Sequence, residues 1–280
     1  MRINKDVLQR LDAVDFPSPP AVVGRLSQLL NQEQTTAAEI SAALELDATM
    51  AARVLRLANS VALGGDGNVH SVSDAVLRVG VETIRDIVYA LSMMGALQPI
   101  NFEYRPFWKH CLTVAHATRL LQERAVPATE EHPEAYAAGL LHDIGMLVFD
   151  RALGSRYKTV LAKARASGRP LWQVETDMLG IDHAEAGGRM LAAWAMPAPL
   201  VEAARLHHRP GESEQRVTHL VNLADLICNN LGFHHGTGFL PAMFAADGWA
   251  RLGLEVTELP TIAVEVRKGM DRVERLLAAA

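Results

Sequence analysis

A chain of 280 residues, 49% hydrophobic but only 5% aromatic and rich in Ala and Leu, can form one large domain or two modest ones and favours helices over sheets. Its net charge of −5 argues against a general nucleic-acid binder. Cys111 and Cys228 lie in apolar segments with no CxxC spacing, no apolar run approaches the roughly 20 residues needed to cross a bilayer, and Met1–Asp6 does not read as a secretory signal, so a cytoplasmic, non-membrane protein is expected.

In chain order, residues 1–15 read as a short amphipathic helix stopped by Phe16-Pro17-Ser18-Pro19-Pro20. Apolar residues return at helical spacing over Ala21–Leu30. Thr36 with Glu39 forms a capping box for a helix Ala37–Leu46, and Asp47 caps the next, to about Asn59. Gly64–Gly67 marks a loop, Ser73 is read as the cap of a short helix, and Gly80 precedes a helix from Val81 to about Gly95. After a connector over Gln98–Pro106, a long helix is expected over Phe107–Arg124 and another over Pro133–Phe149. A turn at Ser167–Pro170 leads to Leu171–Met178, and Asp182 with Glu185 reads as a second capping box for His183–Trp194. Pro197 starts a helix ending near His208, Val217–Leu231 forms a further one, Gly232–Gly238 breaks it, and two helices follow from about Pro241. The expectation is an all-α fold in two lobes: a helical bundle over 1–97, a helical core over 98–235, and C-terminal helices over 236–280 packed on the bundle.

The chemistry concentrates in the run Gly139-Leu140-Leu141-His142-Asp143-Ile144-Gly145. An imidazole and a carboxylate in an apolar helix are costly unless paired, and a divalent metal satisfies both. His110, His142, Asp143, His183, His207, His208 and Asp225 all fall in apolar helical segments or at their ends, and helix bundles build metal sites from such inward-pointing groups. Each has a plainer reading beside the metal one. His142-Asp143 suits a hydrogen-bonded pair without metal, His207-His208 a helix C-terminal cap favoured by the helix dipole, His110 a satisfied core histidine, and Asp225 a partner for a neighbouring helix end. His116 is read as facing elsewhere, and His234-His235 as a loop pair meeting metal only by accident.

The order His110…His142-Asp143…Asp225 resembles the HD superfamily of metal-dependent phosphohydrolases, and His183 with His207-His208 resembles the extra ligands of its binuclear, HD-GYP-like branch. The match to the HDOD family is more specific. It rests on Phe16–Pro20, the run Ala51–Ser60, Trp108-Lys109-His110, Gly139–Gly145, Trp194-Ala195-Met196-Pro197, His207-His208-Arg209-Pro210 and Ala224-Asp225, over about residues 15–230. The resemblance implies a bacterial signalling output module, joined to or partnered by sensor or receiver domains and acting mainly through protein contact. It also implies one or two divalent ions (Fe, Mn, Zn, Ni or Mg are not distinguished), with Asp143 bridging His110, His142 and Asp225 on one side to His183, His207 and His208 on the other.

The alternative it implies is a metal-dependent phosphohydrolase acting on a phosphoester or cyclic nucleotide. Two departures weigh against that activity. Met146 stands where active HD-GYP enzymes carry a Lys after His-Asp-Ile-Gly, and Arg209-Pro210-Gly211-Glu212 replaces their Gly-Tyr-Pro loop. A third reading, DNA contact by the helix pair Thr36–Asn59, is opposed by charge, since residues 1–60 carry six Lys/Arg against seven Asp/Glu.

Overall fold

The computed structural model describes residues 5–13, 36–60, 68–125, 134–236 and 246–279, and among these residues every regular element is helical. The Pro-rich run at 16–20, the apolar stretch 21–30, the Gly-rich loop 64–67 and His132 lie outside the described residues. No helix among the described residues is long and apolar enough to cross a membrane. The chain divides into two compact units, residues 1–16 with 98–269, and residues 17–97 with 270–280.

In the second of these units, α2 (Ala37–Glu45) opens on the expected box: Thr36 accepts from Glu39 N, and the Glu39 carboxylate accepts in return from Thr36 N, an arrangement that stabilises the helix start by about 1 kcal/mol. Asp47 caps α3 (Ala48–Ala58) by accepting from Met50 N. The cap of α4 (Val72–Val79) is Ser71 and not Ser73, because Ser71 has the extended backbone that lets its hydroxyl accept from Asp74 N. Gly80, at φ 90°, joins it to α5 (Val81–Ala96), buried along most of its length. The last helix, α16 (Met270–Ala279), packs on α3 and α5.

The larger unit begins with α1 (Lys5–Asp12), whose Asp6 pairs with Arg156 at 2.9 Å. The helix expected from Phe107 starts a turn earlier, as α6 (Tyr104–Arg124), with Pro106 inside its first turn where no helical N–H is needed. The helix expected over Pro133–Phe149 is instead two: α7 (Ala135–Leu141) and α8 (Ile144–Leu153), separated by His142-Asp143. The break has a local cause. His142 Nδ1 lies 2.8 Å from Gly139 O, the carbonyl that an unbroken helix would offer to Asp143 N.

A helix α9 (Ser155–Ser167), not anticipated from the sequence, buries Tyr157, Val160, Leu161 and Ala164 at i, i+3, i+4, i+7. Then come α10 (Leu171–Leu179), α11 (His183–Ala193) and α12 (Ala198–Leu206). The second expected box is half made: Asp182 accepts from Glu185 N, but the Glu185 carboxylate turns to Arg189 and Arg205. The tail differs as well, since α13 (Arg216–Asn230) is followed by α14 (Ala246–Arg251) and α15 (Leu259–Lys268) before α16. Trp249, Leu252, Ile262 and Val266 from α14, α15 and the turn between them pack into a core with Val114 and Leu121 of α6 and Leu220 and Ile227 of α13.

Two glycine contacts set how closely these helices approach. A Cβ on Gly139 would meet Ala115 Cα at 2.7 Å and Thr118 Oγ1 at 2.6 Å, so α7 lies almost backbone to backbone on α6. A Cβ on Gly145 would meet His183 O at 1.8 Å and Gly187 N at 2.6 Å, which locks the start of α8 against α11. Gly145→Ala is therefore expected to destabilise the protein by about 3 kcal/mol, at the upper end of overpacking costs, because backbone must move. Gly211→Ala, where an added Cβ meets nothing within 4 Å, is expected to change stability by less than about 0.5 kcal/mol. Denaturant melts of the two variants check both values.

Candidate metal centre

His110 projects from the second turn of α6, His142 and Asp143 from the α7–α8 break, His183 from the first residue of α11, His207 and His208 from the end of α12, and Asp225 from the middle of α13. The structure brings all seven together. His110, His142 and His207 are completely buried, Asp143 and His183 are each 2% exposed, and Asp225 is 8% exposed.

The imidazoles are oriented by what their Nδ1 atoms touch. His142 and His207 use one device twice: each ends a helix and lays its ring back on the carbonyl three residues earlier, Gly139 O and Ala204 O, both at 2.8 Å. His110 Nδ1 lies 2.7 Å from Phe233 O, in the loop after α13, and His183 Nδ1 lies 2.6 Å from Glu175 Oε2. A carbonyl oxygen only accepts, so His110, His142 and His207 donate an Nδ1–H there, and a neutral ring is left with a bare lone pair on Nε2.

Those Nε2 atoms converge on Asp143. Its Oδ2 lies 3.4 Å from His110 Nε2 and 3.3 Å from His142 Nε2; its Oδ1 lies 3.1 Å from His183 Nε2 and 3.5 Å from His207 Nε2. Asp225 Oδ1 joins the first group, 3.3 Å from His110 Nε2 and 3.8 Å from His142 Nε2, and Asn229 Nδ2 donates to it at 2.7 Å. His208 Nε2 joins the second, 2.9 Å from His183 Nε2. Two His/Asp sets that could hold a metal follow: Asp143 with His183, His207 and His208, and Asp143 with His110 and His142, the ligand atoms within each lying within 4.8 Å of one another. His207 Nε2 is buried and makes no hydrogen bond. A buried nitrogen lone pair without a donor, facing a shared carboxylate, suits a cation better than a purely hydrogen-bonded core.

Without a cation the cluster distributes protons unevenly. Burial lowers the pKa of His110, but hydrogen bonds and the negative charges of Asp143 and Asp225 outweigh it and push it up to about 10. His183 is likewise raised by Glu175 and Asp143 against the effect of burial. Burial dominates at His207 and His208 and lowers both. Burial raises the Asp143 carboxyl but loses to His142, His110 and His183, which hold it well below its ordinary value; Asp225 is lowered chiefly through His110.

Several participants escaped the sequence reading. Glu175 is completely buried, accepts from His183 N at 2.8 Å and faces its ring, while the Tyr157 hydroxyl donates to its other oxygen at 2.7 Å. Its signal was available, since Leu171, Val174, Glu175 and Leu179 form one buried stripe of α10 in which a carboxylate is out of place. Trp172, one turn earlier, stacks on His208 with ring centroids 5.7 Å apart. His235 sets its ring edge-on to His110, centroids 5.3 Å apart, so it borders the cluster and burial lowers its pKa to about 3. His116 is outside the cluster; its ring packs against Gly269.

Residues 16–210 match the family profile of the HDOD domain, and the chain belongs to that family. Its fold is similar to a crystal structure of an HDOD domain protein of unknown function from Geobacter sulfurreducens, at TM-score 0.82 and 23% identity over 96% of this chain and 97% of that one. It is also similar to a "putative signal transduction protein" from Marinobacter aquaeolei VT8 (TM-score 0.83, 23% identity, 100% of this chain and 62% of that one). A "putative phosphohydrolase" from Shewanella amazonensis SB2B matches with TM-score 0.74 and 25% identity, over 97% and 98% of the two chains. An uncharacterized protein of Treponema pallidum (strain Nichols) is 24% identical over 210 residues, 74% of this chain; the chain spans only 40% of that relative's length.

The proton distribution predicts how the metal-free protein responds to pH. His110, raised in the fold, contributes stability in full below its ordinary value of 6.5, and this is lost as pH rises toward about 10. His235, lowered in the fold, contributes above 6.5 and loses that contribution as pH falls toward about 3, where Asp143 and Asp225 begin to lose theirs. Chelator-treated protein is expected to melt highest near neutral pH, and His110→Gln to flatten the alkaline fall. Thermal melts across this range check both, and a wild-type alkaline limb as flat as the variant's would contradict the assignment.

Proposed function

We propose that this HDOD protein is a bacterial signalling output module that acts through protein contact, with a divalent metal centre as the structural or regulatory core of its HD-like lobe. The observation that carries the reading is the convergence of the Nε2 atoms of His110, His142, His183 and His207 on the two oxygens of one buried carboxylate, Asp143. His110, His142, Asp225 and one Asp143 oxygen would hold one ion; His183, His207, His208 and the other oxygen would hold a second. Histidine-rich sets of this kind take Fe, Mn, Zn or Ni. Six of the seven ligand candidates are buried and His208 is partly buried, which favours a structural or regulatory ion over one open to substrate. The sensor or receiver partner is either fused beyond this stretch of chain or separate, and the similarity to a protein named for signal transduction supports that setting.

The second reading is a metal-dependent phosphohydrolase. The likeness to a "putative phosphohydrolase" and the two-sided donor set favour it. When bound, ions in such a site supply Lewis acidity toward a phosphoryl group. Against it stands Met146, completely buried in α8, where a Lys would offer a cation. Arg209 is likewise directed toward Asp182, 3.8 Å away.

Protein purified without a His-tag or added metal is expected to carry near-stoichiometric metal that His142→Ala and Asp143→Ala both remove while remaining folded. Elemental analysis beside circular dichroism reads this directly. Phosphoester turnover with added Mn²⁺ or Fe²⁺ that Asp143→Ala abolishes would overturn the non-enzymatic reading in favour of the second. A folded, metal-free wild type would overturn the metal centre itself.

A further inference from the structure

Outside the seven ligand candidates, the buried polar group that touches the cluster most directly through hydrogen bonds is Glu175. Its carboxylate is wholly buried, where a charge is expensive, and both oxygens are committed. Oε1 accepts from the Tyr157 hydroxyl at 2.7 Å. Oε2 accepts from His183 N at 2.8 Å and faces His183 Nδ1 at 2.6 Å. A carboxylate serving only as a helix cap would stop at the backbone N–H, and the capping of α11 is already supplied by Asp182, which accepts from Glu185 N. The reach to the ring is the informative part. It fixes hydrogen on Nδ1 and turns Nε2 toward Asp143 Oδ1, 3.1 Å away.

The two halves of the cluster are also unequal in charge. Asp225 stands directly beside His110 and His142, whereas the set His183, His207 and His208 has only neutral donors besides its share of Asp143. Glu175 lies directly behind that set. The helix that carries it also carries Trp172, which stacks on His208, so α10 supports two of the three histidines from residues one turn apart.

Building on the metal centre proposed above, we infer that Glu175, held by Tyr157, is the positioning residue of the His183–His207–His208 half of the cluster, and supplies that half with the negative charge that Asp225 supplies to the other. His183 is thereby a carboxylate-backed ligand, while His110, His142 and His207 are backed by backbone carbonyls. The half-site that depends on Glu175 is the one that loses affinity when its charge is removed.

Calorimetric titration of the full, chelator-treated chain with Co²⁺ alone tests this, beside Glu175→Gln, Tyr157→Phe and His183→Ala. The binding step that His183→Ala abolishes is expected to weaken about 10- to 100-fold in Glu175→Gln. In Tyr157→Phe it weakens by less, and any step that survives His183→Ala is unchanged in both. The metal-free melting point of Glu175→Gln is expected to fall, because the Gln carbonyl still accepts both His183 N–H groups but the charge that raises the His183 pKa is gone. A structural role alone would lower that melting point without weakening the His183-dependent step more than the others. Wild-type binding by Glu175→Gln, or equal weakening of every step, overturns the inference while the metal centre stands. Absence of any Co²⁺ binding by the wild type overturns the metal centre and this inference with it.

Discussion

The carboxylate of Asp143 faces four imidazole nitrogens with its two oxygens, inside protein, at distances of 3.1 to 3.5 Å. Five histidines and two aspartates gathered in the protein interior would be unfavourable as a set of separate groups, since each charge or lone pair costs several kcal/mol when left unmatched. Protons can answer this in part, which is why His110 and His183 are held basic while His207 and His208 are not. Divalent cations would answer it for each set without requiring neighbouring rings to alternate between charged and neutral. The remaining geometry of the larger unit is arranged around bringing these groups to that carboxylate.

That arrangement depends on a few backbone devices. Ending α7 at Leu141 frees the Gly139 carbonyl for the His142 ring, and ending α12 at Leu206 frees Ala204 for His207. Gly145 and Gly187 let α8 and α11 touch through their backbones, placing His183 beside Asp143. Asn222 of α13 donates to His207 O at 2.7 Å, tying the helix that carries Asp225 to the one that ends at the paired histidines.

Much of this was legible in the sequence. The all-α class, the Thr36–Glu39 box, the Asp47 cap and the helix from Pro197 to near His208, which stops at Leu206, follow from periodicity and end signals, because those interactions span at most four residues. The seven candidate residues stood out because polar groups interrupted apolar helices. The break at His142-Asp143 was not legible, since it arises from a side chain competing for a carbonyl within a uniformly apolar run. Ser71 against Ser73 was decided by backbone angle: each serine stands three residues before an N–H it could cap, Asp74 or Val76, and spacing does not choose between them. For Glu175 a carboxylate in the apolar stripe of α10 was a readable signal, but its pairing with Tyr157 across 18 residues and its place behind His183 come only from the fold.

The proposed function has one physical claim at its centre: that the His/Asp cluster is a metal site divided by Asp143. Anomalous diffraction from crystals of the purified protein, collected on both sides of the metal absorption edge, tests it most directly. The account predicts anomalous density against the Asp143 carboxylate, with peaks on its Oδ1 and Oδ2 faces when both half-sites are filled. Metal density located away from Asp143, or ordered hydrogen-bonded water alone among these histidines in metal-supplemented crystals, would contradict it.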